Sequence, residues 1–86
     1  MSEAIEVLGV EARRTGESYQ ARTPLGLVLV LRCPGEPWWS ALWMPRGARR
    51  MAVTLLESAD SAADAAREAT RRLRAIQRTC ARAGAV

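Results

Sequence analysis

The sequence predicts an α+β domain: an antiparallel sheet of four to five strands, wound as a meander, packed on one long C-terminal helix. Three observations carry this. Up to residue 57 the chain alternates β-branched or apolar runs with turns built on glycine and proline. From Ser58 to Ala83 it has neither glycine nor proline, and alanine and arginine dominate, which is helical composition. The links between successive runs are short, which favours antiparallel neighbours. The 86 residues make one domain, 1–86, with the sheet over about 4–57 and the helix over about 59–83.

Taken in order, Ala4–Arg13 reads as the first strand, ended by the turn Arg14-Thr15-Gly16-Glu17. Ser18–Thr23 is the second. Thr23-Pro24-Leu25-Gly26 is a turn with proline early and glycine late. Leu27–Cys33 is the third strand and is apolar at nearly every position, so it asks for cover on both faces, as a central strand does. Pro34-Gly35-Glu36-Pro37 turns the chain into the fourth strand, Trp38–Met44. Pro45-Arg46-Gly47 leads to the fifth, Arg50–Glu57.

For the helix, Ser61 followed by Asp64 resembles a capping box with aspartate in place of glutamate; Ser58 and Asp60 are rival caps, and Gly84 is a stop signal. Ala62, Ala66, Ala69, Leu73, Ile76, Cys80 and Ala83 fall on one narrow stripe, small at its start, which lets the helix approach a sheet closely. Arg67, Arg71, Arg74, Arg78 and Arg82 fall on the opposite side.

The charge is uneven. Residues 1–60 hold as many acids as arginines, so the net +4 belongs to the helix. All 13 basic residues are arginine, and histidine, lysine, asparagine and phenylalanine are absent. Two readings stand: the codon bias of a GC-rich genome, or selection of guanidinium for bidentate contact with phosphate or carboxylate. Likewise the basic helix face, Arg67, Arg71, Arg74 and Arg78, is either a solvated surface that suits the helix dipole or a contact with an acidic surface or phosphate backbone.

All three tryptophans lie in one segment, Trp38, Trp39 and Trp43, with Arg46, Arg49 and Arg50 just beyond. Aromatic and arginine together is the composition of binding hot spots and of single-strand nucleic-acid platforms. In a strand Trp39, Ala41 and Trp43 share one face, and Trp38, Ser40, Leu42 and Met44 the other. One helix covers one face only. The second is expected to be covered by closure of the sheet on itself, by a second copy in a homodimer, or by a foreign partner, with a tryptophan at the interface if the sheet does not close.

Enzymatic chemistry is not expected. Without histidine, the usual base of a triad and the commonest zinc ligand are missing. No Gly-rich phosphate loop occurs, and Asp60 and Asp64 read as capping acids rather than a catalytic pair. No cofactor or metal is expected. Cys33 and Cys80 have no CxxC spacing and are expected as reduced, half-buried small hydrophobes. No apolar run reaches the roughly 18 residues of a membrane span, and the acidic start MSEAIEVLGVEARR does not read as a signal peptide.

In size, in sheet-plus-helix build and in lack of catalytic equipment, the chain resembles the small phage-borne anti-CRISPR proteins. That group shares no motif, so no residue role is carried over. The resemblance implies a non-enzymatic inhibitor in the cytoplasm of a bacterial host, which binds a CRISPR effector and blocks target DNA or nuclease recruitment. Many members are acidic DNA mimics. This basic chain departs from them and would engage an acidic protein surface or the complex's own nucleic acid. The alternative is a basic nucleic-acid-binding module using the arginine-rich helix and the Trp/Arg hairpin. Strand–strand–strand–helix domains of the phage-integrase arm-binding type bind DNA through a sheet.

Overall fold

A computed structural model of the chain describes residues 5–47 and 52–84. Two short strands, β1 (Glu6–Val7) and β2 (Val10–Glu11), form a ribbon. The strands β3 (Arg13–Thr15), β4 (Ser18–Thr23), β5 (Gly26–Arg32), β6 (Trp39–Pro45) and β7 (Val53–Ala59) then form one antiparallel sheet in sequential order, and the helix α1 (Ala62–Gly84) follows. The meander and the C-terminal helix are as the sequence predicts. The sheet is open: β3 and β7 are its edges and do not pair with each other, so closure is not how its second face is covered. The expected starts of the first and fifth strands, Ala4 and Arg50–Met51, lie outside the described residues.

The first expected strand, Ala4–Arg13, is instead three short pieces. Val7 pairs with Val10, and between them Leu8 (φ 53°) and Gly9 (φ 76°) both have positive φ, as a two-residue type I′ turn requires. Leucine is a strained choice there. The position is held because the Leu8 side chain packs on the core and its N–H donates to Thr70 Oγ1 of α1 at 3.1 Å. The ribbon thus lies against the helix, with Ile5 and Val7 buried.

Strand parity sorts the sheet cleanly. Across the register Ala21↔Val28↔Trp43 and Tyr19↔Val30↔Ala41, one face carries the residues buried under the helix. In β7 two register shifts bring both Leu55 and Leu56 onto the core. The core is completed by Ala59 and by Ala62, Ala65, Ala66, Ala69 and Leu73 of α1. Four alanines at the contact let the helix backbone sit close to Val28, Val30 and Ala41, which are essentially inaccessible.

Among the rival caps Ser61 is the one used: its Oγ accepts the Asp64 N–H at 3.1 Å, and α1 begins at Ala62 rather than at residue 59. The buried face adds Ala65 to the predicted stripe; between Leu73 and Cys80 only Ile76 stays half-buried, and the side chain of Ala83 lies outside the described residues. Cys80 is exposed, contrary to the expectation of a half-buried thiol. The reason is length: 23 helical residues extend about 34 Å, whereas a seven-residue strand extends about 23 Å. The last turns of α1 outrun the sheet. Cys33 is half-buried, its Sγ 3.8 Å from Ser40 Oγ, and both thiols are free. Among the described residues no helix is long and apolar enough to cross a membrane.

Gly26 is irreplaceable on geometric grounds. Its φ is 130°, and a Cβ there would lie 2.2 Å from the Met44 carbonyl oxygen. Gly26→Ala should lower unfolding free energy by more than about 1 kcal/mol, and Leu73→Ala, at a fully buried site, by about 2–5 kcal/mol. Urea denaturation followed by tryptophan fluorescence measures both.

Candidate functional site

The structure separates the residues that the sequence grouped together. Trp39 and Trp43 turn to the helix side and are half-buried against the core. The Trp39 ring lies 6.1 Å from that of Tyr19, and Trp43 Nε1 donates to the Leu25 carbonyl at 3.0 Å. Trp38 is the exposed one, at 39 %. Arg46 is exposed at the other end of β6, where its N–H also bonds the Leu25 carbonyl. Trp38 and Arg46 are therefore about a strand length apart, roughly 23 Å, and do not form one platform. Arg49 and Arg50 lie outside the described residues.

The second predicted set does converge. Arg67, Arg71, Arg74 and Arg78 succeed one another at intervals of four, three and four, and all four line one groove along the flank of α1. Ala63, Ala66 and Thr70 lie between them and the ribbon, whose Ile5, Glu6 and Gly9 form the far wall. The Leu8–Thr70 hydrogen bond fixes that wall to the helix. Among the described residues, four arginines thus face one glutamate, Glu6, across a concave surface that concentrates their field.

The four cations are not equivalent. Arg67 lies 3.4 Å from Asp64 in an exposed pair of little energetic weight. Arg71 makes a two-pronged contact with Glu68, its Nε 3.1 Å from Oε2. That hydrogen bond is the main reason the Glu68 carboxyl is held below the usual range and the Arg71 guanidinium raised; Arg72, whose Nε lies 3.4 Å from Glu68, adds to the first effect. Arg72 also donates to the Leu55 carbonyl of the edge strand β7, so it is tied to the fold. Arg74 and Arg78 have no carboxylate within salt-bridge distance among the described residues. The side chain of Arg82 lies outside that set.

Chemically, the groove offers guanidinium groups of the kind that pair with anions. No cluster of three His, Cys, Asp or Glu side chains able to hold a metal ion occurs among the described residues. The ribbon wall is the part that sequence reasoning missed; Gly9, a lone glycine inside an apparent strand, was its one signal. Comparison with family models, with curated proteins and with solved structures gives no match for this chain.

Because Glu68 neutralises Arg71, Glu68→Gln should release one more cation into the groove and tighten polyanion binding. With heparin as the probe, the salt needed for elution should rise; an unchanged or earlier elution would show that Arg71 does not face the ligand. The Glu68 pair is present above the carboxyl's lowered pKa and is lost as pH falls through it. Wild type and Glu68→Gln should therefore differ at neutral pH and converge on acidification.

Proposed function

We propose that the protein is a non-enzymatic binding protein that lays the basic flank of α1 along the phosphate backbone of a nucleoprotein complex and so covers a surface the complex needs. The observation that carries this reading is the convergence of Arg67, Arg71, Arg74 and Arg78 on one groove, with Arg74 and Arg78 free of carboxylate partners among the described residues. The stripe runs about 16 Å along the helix at 1.5 Å per residue. A duplex carries a phosphate per about 3.4 Å of axis on each strand, so the stripe matches about five successive phosphates. Guanidinium suits the task, since its planar fork bonds a phosphate through two N–H groups. No aromatic side chain lines the groove, so bases find nothing to stack on there. Such a contact reads backbone charge and shape rather than sequence.

Titration of labelled duplex and single-stranded DNA by fluorescence anisotropy tests this. Log affinity should fall with log salt with a slope of about −2 to −4 on duplex. Arg74→Glu with Arg78→Glu, both at exposed positions, should reduce that slope by about 2 irrespective of base sequence. Absence of binding at about 50 mM salt, where electrostatic contacts are least screened, would overturn the reading. The same two arginines also favour a free-standing nucleic-acid-binding module. A plasmid-interference assay in bacterial cells separates the two. An occluding, anti-CRISPR-like protein relieves interference and the double variant does not, whereas duplex binding without relief leaves the module.

A further inference from the structure

We infer that Thr70, between the arginines and the ribbon, is the centre of a subsite for one phosphate group, with the Leu8–Gly9 turn as its second wall. This rests on the reading of the groove as a phosphate contact and narrows it: the ligand is a phosphate rather than the carboxylates of an acidic protein. The fold sets the two capacities of the Thr70 hydroxyl apart. Its oxygen accepts the Leu8 N–H at 3.1 Å, which fixes where it points. Its own proton meets no acceptor among the described residues. A helical threonine can give that proton to the carbonyl one turn back, and Thr79 of the same helix does so, donating to the Ala75 carbonyl at 3.0 Å. Thr70 is half-buried and lines the groove, so the groove is the open direction for its proton.

The neighbours of that hydroxyl are donors. Arg67 precedes Thr70 by three residues and Arg74 follows it by four, spacings that set Cβ atoms about 5–6 Å apart on a helix, and both line the groove. Arg74 has no carboxylate within salt-bridge distance among the described residues, and Arg67 has only its exposed contact with Asp64. The turn supplies backbone from the other wall. Leu8 and Gly9 have φ of 53° and 76°. Two successive residues of one helical hand point their N–H groups the same way, and turns of this kind make anion-binding concavities. The Leu8 N–H is directed at Thr70, so the Gly9 N–H is directed toward the same flank of α1. Gly9 is exposed in the groove wall and has no side chain to keep a ligand off its backbone. A hydroxyl, a backbone N–H and two guanidinium groups therefore border the same part of the groove from both walls. Donors that arrive out of a common plane suit the tetrahedral oxygens of phosphate better than the two coplanar oxygens of a carboxylate.

Titration of the 15N-labelled wild-type chain with inorganic phosphate at constant ionic strength, followed by NMR, reads the subsite without any nucleic acid. The Leu8 and Gly9 amide protons should move downfield and Leu8 exchange should slow, because a hydroxyl that donates becomes a stronger acceptor. A Thr70 that only anchors the ribbon would leave the Leu8 amide where it is. Absence of these shifts overturns the inference, and equal shifts with polyglutamate overturn the preference for phosphate. In the duplex titration Thr70→Val should bind about tenfold more weakly. Its salt slope should stay unchanged, since a neutral donor releases no counterion, and Thr70→Ser should bind as wild type does. The phosphate titration uses the wild-type chain, so it decides the matter even if Thr70→Val loosens the ribbon. Duplex binding that Thr70→Val leaves untouched overturns the subsite and leaves the arginine contact standing. Phosphate shifts without duplex binding support the subsite and overturn the nucleoprotein reading.

Discussion

The close seat of the first three turns of α1 on the sheet is what everything else in this molecule rests on. Ala62, Ala65, Ala66 and Ala69 contribute little apolar area each, so their value lies in proximity. They allow the helix to approach until Val28, Val30 and Ala41 lose contact with water, and Leu73 then closes the far end of the contact. A helix with bulkier residues at those positions would stand off the sheet and leave the centre of the core unfilled.

That close seat has two consequences of opposite kind. It leaves the flank of α1 accessible beside the ribbon, and there the arginines at 67, 71, 74 and 78 gather. It also commits α1 to one face, so that the leucines of β5 and β6 point to the face away from it and stay half-buried among the described residues. Cation and grease are thereby placed on opposite sides of a single sheet.

Within the groove the fold also sets how strongly each arginine is available. Glu68 holds Arg71 by a fork and Arg72 by one further contact, Asp64 stands near Arg67, and the more distal Arg74 and Arg78 lie past the last acid of the helix. The groove is therefore graded, tempered near the N-terminus of α1 and unbalanced further along. The strained Leu8 turn belongs to the same device. Its backbone cost is offset by packing and by the Thr70 hydrogen bond, and the result is a fixed wall facing the cations.

Local signals in the sequence determined the meander, the helix and the face-sharing of Trp39, Ala41 and Trp43, and narrowed the cap to Ser58, Asp60 or Ser61, because turn residues, periodicity and strand alternation act over a few neighbours. They also marked Arg67, Arg71, Arg74 and Arg78 as one stripe, since helical spacing is a local property. Only the tertiary structure decided that Leu8–Gly9 folds the first strand into a ribbon, that Trp39 and Trp43 turn inward while Trp38 stays out, and that Cys80 rides on a helix longer than its sheet. Each of these depends on which surface α1 meets, and that is fixed by contacts between residues far apart in the chain, such as Leu8 with Thr70 and Leu55 with Arg72.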